Sequence, residues 1–560
     1  MAFDRIWHKS YAPGVPADVD FEKITPGEAL VRTAKKYPRV TAIVFMGKRI
    51  TYAGLDTLVN RFARGLRSLG IRRGDKIAML LPNIPQMIIA NYAAFKIGAV
   101  PVMNNPLYTD RELAFQLADS DSKMLITLDI LARRAVTLQA GTKIESIIAC
   151  HINDYLPFPK KQLFPIVKKS MHAALPPGVH DFARIIREHS PEPLPVDAAW
   201  DDLGALIYTG GTTGTGKGVM LTHANLSSNV QQFRAAVKPF FVEGREILLG
   251  VFPIFHSAGF TAIQNHSVWM GWTVILVPRP EPGILIELIK KYRPTIIPGV
   301  PTIFTGLLNA PKFKSLNLSF VKGFISGAAP LSEKTIRDLH TLTGATMCEV
   351  YGITETSPAA TATPYGGTIK PGTVGVPFPG TDMKIVDLDS GERELPPGER
   401  GEIIFKGPQV MKGYYKKPEE TAEAVRNGWF YTGDIGIMDE EGYLTIVDRK
   451  KDMIIAGGYN IYPKEIDEAL YAHPGVLEAC AIGVADAYRG ETVKAYVVPK
   501  PGASLTEDEL REHCKKYLAA YKVPKSIAFI DELPKSAVGK ILRRELRELD
   551  RKLREQERAS

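Results

Sequence analysis

A chain of 560 residues is too long for one compact core, so two or more domains are expected. With 45% hydrophobic and 23% charged residues it is an ordinary globular composition, and no apolar run approaches the ~20 residues that a membrane span needs. The net charge of +9 is a modest excess for this length; it favours polyanions or a membrane surface without choosing between them.

The first residues, MAFDRIWHKS, lack the apolar stretch of a signal peptide, so a soluble, cytoplasmic protein is expected. Next, TYAGLDTLVNRFARGLRSLG places Leu55, Leu58, Val59, Phe62, Leu66 and Leu69 at helical spacing and stops at Gly70. The strand-like KIAMLLP, a helical IPQMIIANYAAFKIGA and VPVMNN follow. This is βαβ punctuation, which predicts an α/β fold with a parallel sheet covered by helices. The four cysteines, Cys150, Cys348, Cys480 and Cys514, have neither CxxC nor CxH spacing, so no zinc site or disulfide framework is indicated.

Further on, YLPFPKKQLFPIVKKSMHAALPP, residues 155–177, holds four lysines and no acid among aliphatic and aromatic residues. That is the composition of an interfacial segment that contacts anionic lipid peripherally; the alternative is a surface loop with solvated lysines, because the prolines prevent one continuous amphipathic helix.

The stretch YTGGTTGTGKG comes within one residue of the Walker pattern, with Gly211, Gly216 and Lys217 in place but Gly218 where a hydroxyl is required. Glycines at Gly210, Gly211, Gly214, Gly216 and Gly218 let backbone amides converge on an anion, Lys217 adds charge, and Thr209, Thr212, Thr213 and Thr215 add hydroxyls. The loop therefore reads as a phosphate site. Because Gly218 cannot ligate a metal ion, a Walker NTPase is disfavoured and another carboxylate has to hold Mg²⁺. Glu355 in EVYGITETSP is the candidate.

Near Asp448 the texture changes, and IVDRKKDMIIAGGYNIYPKEIDEAL runs through a charged cluster and a Gly-Gly pair into a helical pattern. A domain boundary is expected there, with a large domain over 1–448, a hinge at 449–451 and a small α+β domain over 452–560 that carries strands such as KAYVVP and helices such as EDELREHCKKYLAAY. The tail ILRRELRELDRKLREQERAS reads as a solvated helical extension, and its mixed charges argue against a nucleic-acid partner. The sequence leaves the oligomeric state open, a homodimer included.

Taken together and in order, YTGGTTGTGKG, SGAAPL, YGITE, YTGD, DRKKDMIIAGGYNIYP and PKSAVGK resemble the motif set of the adenylate-forming superfamily of acyl-CoA synthetases, adenylation domains and luciferases. The resemblance covers nearly the whole chain. It implies a large N-terminal domain of βα-layered sheets and a small mobile C-terminal domain. It also implies a two-step ligase that uses ATP, Mg²⁺ and coenzyme A with a carboxylic acid substrate.

On the matching positions, the loop from Thr209 through Gly210, Gly211, Thr212, Thr213 and Gly214 to Lys217 would hold the β- and γ-phosphates. Thr354 would contact the α-phosphate and Glu355 would ligate Mg²⁺. Gly327, Ala328, Ala329 and Tyr351 would bracket adenine, and Asp434 and Arg449 would face the ribose. Lys540 resembles the lysine that the small domain brings to the forming adenylate, where a cation can follow shifting negative charge. Lys451 matches the hinge, and Gly457, Gly458 and Tyr459 would line the pantetheine route.

The segment FPIFHSAGF, with His256, resembles the opening of the carboxylate pocket, and GVPTIF resembles another of its walls; His256 is alternatively a structural histidine. Phe252, Phe255 and Phe260 without a nearby charge argue for a hydrocarbon-like acid over an amino acid. Because DYLPFPKKQLFP looks like a stretch of bacterial long-chain fatty-acyl-CoA ligases, a medium- or long-chain fatty acid is the expected substrate. An aryl or alicyclic acid is the alternative, and a non-catalytic acyl- or nucleotide-binding protein is the reading from a different class. Two small departures are TGTGKG, with Gly at a position usually less constrained, and AVGK where Thr before GK is frequent.

Overall fold

A computed structural model describes residues 5–209, 216–327, 331–456, 459–486, 489–536 and 539–559. The chain divides into two compact units: residues 1–382 with 405–430, and residues 383–404 with 431–560.

The first unit contains the βαβ run expected near its start. Helix Tyr52–Ser68 is capped by the Thr51 hydroxyl, which accepts from the Gly54 amide at 3.1 Å, and it buries Leu55, Val59, Phe62 and Leu66. Strands Lys76–Leu80 and Val100–Met103 pair in parallel, with helix Pro85–Lys96 between them in sequence. That helix is buried at every residue, as befits one apolar on all sides.

The two strands belong to an eight-stranded sheet ordered 413–414, 217–222, 203–209, 100–103, 76–80, 124–128, 146–150, 180–181. A second sheet of nine strands is ordered 376–377, 361–362, 346–351, 323–326, 296–299, 247–250, 273–276, 41–45, 48–51. Its central pairings are parallel and its edges antiparallel. One hydrophobic cluster takes in strands of both sheets and the two helices above, so the first unit has a continuous core.

The second unit takes in residues of two five-stranded sheets. In one, strands Asp382–Val386, Arg400–Lys406 and Trp429–Met438 are neighbours, and Leu444–Arg449 pairs with Trp429–Met438. In the other, Val476–Asp486 and Gly490–Pro499 form a long antiparallel pair, and Ser526–Phe529 lies parallel to the latter. Contacts thus group residues 383–404 and 431–448 with the C-terminal residues, which differs from the division at 448 expected from sequence texture.

The tail also corrects an expectation. Helix Arg543–Ala559 is not simply a solvated extension: Leu546 is fully buried, and Asp550 accepts from the Lys494 ammonium at 2.6 Å and from the Tyr496 hydroxyl at 3.1 Å. Arg543 bonds to the part-buried Asp467. The helix is therefore docked along strands Val476–Asp486 and Gly490–Pro499.

Candidate active site

Strands Leu203–Thr209 and Lys217–Thr222 are antiparallel, with Thr209 opposite Lys217 and Tyr208 opposite Gly218. The two ends of the glycine-rich loop are thereby held together; Gly210, Gly211, Thr212, Thr213 and Gly214 lie outside the described residues. At Gly218 a Cβ would lie 3.1 Å from the Leu206 side chain and 3.2 Å from that of Tyr208. Packing thus crowds the position where a Walker loop carries its hydroxyl.

The short edge strand Gly413–Tyr414 pairs with Lys217–Thr222, Tyr414 opposite Val219. This register carries the Tyr414 ring to within 4.9 Å of the Lys217 ammonium, a cation–π contact, while the Tyr414 hydroxyl donates to Glu355 Oε1 at 2.8 Å. Glu355 is 9% exposed. It follows Thr354 in a single 3₁₀ turn, Thr354–Thr356.

Several contacts over-determine that turn. Gly352 lies so close to the following chain that a Cβ would meet the Pro358 carbonyl oxygen at 2.0 Å, and Ser357 is left-handed at φ 67°. The Ser357 hydroxyl donates to the Gln409 carbonyl at 2.8 Å, and the Met411 amide donates to the Glu355 carbonyl at 2.8 Å. Thr354 Oγ1 meets Ser257 Oγ at 3.1 Å. Ser257 is the neighbour of His256, so the FPIFHSAGF segment is joined to the Glu355 turn.

That segment is folded by its own constraints. A Cβ on Gly259 would lie 2.1 Å from the Pro253 carbonyl oxygen, which restricts the position to glycine. The buried Asn83 donates to the carbonyls of Gly250 and Phe252 and accepts from the Ile254 amide at 2.8 Å. The π-helix Gly259–Asn265 follows, and His256 itself is half-buried. Gly327 and Tyr351 lie at the carboxyl ends of adjacent parallel strands, Gly323–Ser326 and Thr346–Tyr351. Crevices outside such strand ends are where open α/β sheets take ligands. Ala328 and Ala329 are outside the described residues.

In the second unit Asp434 and Arg449 are cross-strand partners, and the Arg449 Nε donates to Asp434 Oδ1 at 3.2 Å. Lys540 is joined to Ser536 by two hydrogen bonds, the Ser536 amide donating to the Lys540 carbonyl and the Lys540 amide to the Ser536 hydroxyl. Burial lowers its ammonium to about 8, Arg449 and Lys451 push the same way, and Asp434 and Asp452 oppose them. Burial, followed by Arg449, likewise lowers Lys451. Asp434, Arg449, Lys451 and Lys540 therefore share one electrostatic neighbourhood. Gly457 and Gly458 lie outside the described residues, as does the side chain of Tyr459.

Over residues 30–415 the chain matches the profile of the family described as AMP-binding enzyme, and over 465–540 that of the AMP-binding enzyme C-terminal domain. The chain belongs to the AMP-binding enzyme family. This AMP-binding enzyme is 43% identical over 553 residues to a long-chain-fatty-acid–CoA ligase of Bacillus subtilis (strain 168), covering 98% of each chain. It is 38% identical over 519 residues to a feruloyl-CoA synthase of Amycolatopsis sp., covering 92% of this chain and 97% of that one. Among solved structures, ATP-bound MatB from Rhodopseudomonas palustris is similar at a TM-score of 0.83 and 32% identity, covering 94% of this chain and 99% of that one. The α/β fold with a large N-terminal and a smaller C-terminal domain is that of adenylate-forming enzymes.

Two residues of the candidate site lie outside the motifs. Tyr414 stands in MKGYYKKP, where only the aromatic pair amid charge sets it apart; Asn83 acts through contacts distant in sequence, and Ser257, though inside FPIFHSAGF, carries no signal of its own beside His256. Among the described residues, the Glu355 carboxylate has the Tyr414 hydroxyl as a partner, and the adjoining Thr354 hydroxyl meets that of Ser257. An all-oxygen set of this kind suits a hard divalent cation that keeps most of its water and shares substrate phosphates.

Proposed function

We propose that this enzyme joins a medium- or long-chain fatty acid to coenzyme A at the expense of ATP, releasing AMP and pyrophosphate. In the first step a carboxylate oxygen attacks the α-phosphorus and the bond to the β-phosphate breaks. In the second the coenzyme A thiolate attacks the acyl carbon and AMP leaves. The observation that carries the reading is the linked set Lys217, Tyr414, Glu355 and Thr354, in a chain matched end to end by a long-chain-fatty-acid–CoA ligase.

Lys217 and the loop before it would hold the outer phosphates, and Thr354 would face the α-phosphate. Glu355 would hold Mg²⁺, which supplies charge neutralisation to the triphosphate. Asp434 and Arg449 would bind the ribose, and Gly327 and Tyr351 the adenine. Lys540 would stabilise charge in adenylation, after which rotation near Lys451 would bring 457–459 to the coenzyme A route.

Residues 155–177 are proposed as a peripheral membrane contact. Helix Lys160–Val167 buries Phe164 while Phe158, Ile166 and Val167 are exposed at 83%, 66% and 69% beside Lys160, Lys161, Lys168 and Lys169, an arrangement suited to an anionic lipid surface. Among the described residues, no helix is long and apolar enough to cross a membrane.

An aryl acid is the second reading, favoured by the similarity to feruloyl-CoA synthase. Coenzyme A-dependent AMP formation, measured across acids from acetate through palmitate with benzoate and cyclohexanecarboxylate, tests both. The expected result is highest turnover with medium or long alkyl chains; a maximum at an aromatic acid would replace the fatty-acid assignment.

A further inference from the structure

In the eight-stranded sheet, far in sequence from the Glu355 turn, the parallel strands Met124–Leu128 and Ser146–Cys150 end side by side, Leu128 opposite Cys150. The next residue of each strand carries a metal-ligand type: Asp129 on one, His151 on the other. His172, at the end of the lysine-rich segment, returns to the same point. The His151 Nδ1 is 2.7 Å from Asp129 Oδ2 and the His172 Nδ1 is 3.5 Å from it, and the two imidazoles face each other with centroids 4.5 Å apart. One donor atom from each residue lies within 4.8 Å of the other two.

Protons alone leave this cluster unsatisfied. Asp129 is 2% exposed, and although its Oδ2 also accepts from the Ala173 amide at 2.8 Å, its Oδ1 is buried and has no hydrogen-bond partner among the described residues. The His172 Nδ1 is likewise buried without a hydrogen-bond partner among them. A buried carboxylate oxygen and an imidazole nitrogen, both with unused lone pairs at one place, ask for a cation that accepts electron pairs from each.

We propose that Asp129, His151 and His172 bind a late first-row divalent metal ion of the Zn²⁺ class, tying both ends of the loop that carries helix Lys160–Val167 to the sheet. Two imidazoles with one carboxylate suit Zn²⁺, Co²⁺ or Ni²⁺ rather than Mg²⁺ or Ca²⁺, and three protein ligands leave a fourth position for water. The site is separate from the Glu355 donors, which are all oxygen.

The test is to strip the full-length protein with a chelator and titrate it with Co²⁺, following bound metal by equilibrium dialysis and the visible ligand-field bands. The wild type is expected to take up one equivalent with bands of nitrogen-containing, low-coordinate Co²⁺. His151→Ala and His172→Ala should each lose that affinity by at least about tenfold, since even altered outer-shell partners cost this much. His172 is 31% exposed, so His172→Ala decides the matter if His151→Ala fails to fold. Absence of a tight equivalent in the wild type, or equal affinity in His172→Ala, overturns the proposal.

Discussion

Tyr414 links both halves of the proposed phosphate cradle: its ring lies under the Lys217 ammonium and its hydroxyl donates to Glu355. Burial and then the Glu355 charge hold the phenol far above its ordinary range, so it remains a donor at every working pH. Removing that donor leaves a buried carboxylate with one partner fewer, and a hydrogen bond to a charged group is worth about 1.5–3 kcal/mol. Tyr414→Phe, which keeps the ring, should therefore slow pyrophosphate release from ATP and acid by about tenfold or more and raise the Mg²⁺ concentration needed. Glu355→Gln should do so more severely, because a neutral amide is a poorer ligand for a hard cation. Titration of pyrophosphate release against Mg²⁺ checks both; an unchanged Mg²⁺ dependence in Glu355→Gln would remove Glu355 from the metal site.

At the scale of single elements, what could be read in the sequence is what repeats locally. Helix Tyr52–Ser68 and the strand–helix–strand run after it follow from apolar spacing, and the turn before Glu355 from its Tyr-Gly pair. What could not be read depends on distant pairing: Tyr414 reaches Glu355 across 59 residues from a two-residue strand, too short to leave a period. Asp129, His151 and His172 come together only through strand register and a returning loop. The C-terminal helix misled for another reason: several of its charges, Arg543, Arg547 and Asp550 among them, pair with residues far off in sequence instead of with solvent. Helix Lys160–Val167 is the element whose two readings differ measurably. Each basic residue near an anionic surface is worth about 1 kcal/mol, so changing Lys160, Lys161, Lys168 and Lys169 to Gln should weaken binding to phosphatidylserine-containing vesicles by at least about tenfold, with turnover of a short soluble acid unchanged. Equal vesicle binding by both proteins would make the segment a solvated loop.

At the scale of the whole chain, the grouping of 383–404 with 431–560 follows from strand pairing: Arg400–Lys406 lies beside Trp429–Met438, and Leu444–Arg449 pairs with the same strand. The charged Gly-Gly stretch that marked a boundary in the sequence thus falls inside a compact unit, and the proposed rotation near Lys451 has to be tested by function. Lys540 supplies the test. If it serves adenylation alone, Lys540→Ala should lose pyrophosphate release by about 10², the typical size for one electrostatic contact in a transition state, and yet convert synthetic acyl-adenylate and coenzyme A to thioester at a near-normal rate. The pH dependence adds a signature. Because burial and Arg449 lower the folded ammonium to about 8, below its ordinary 10.5, the charged form is the one the fold disfavours: its cost to stability is present below about 8 and fades as pH rises towards 10.5. The Lys540 charge is lost over the same limb, so if it serves adenylation, kcat/KM for ATP in the first half-reaction should fall as pH rises through about 8. Lys540→Arg, charged throughout, should lack that fall whatever its absolute rate, and the thioester-forming half should show no such limb in the wild type. A loss shared equally by both half-reactions in Lys540→Ala would make Lys540 a structural residue of the small domain.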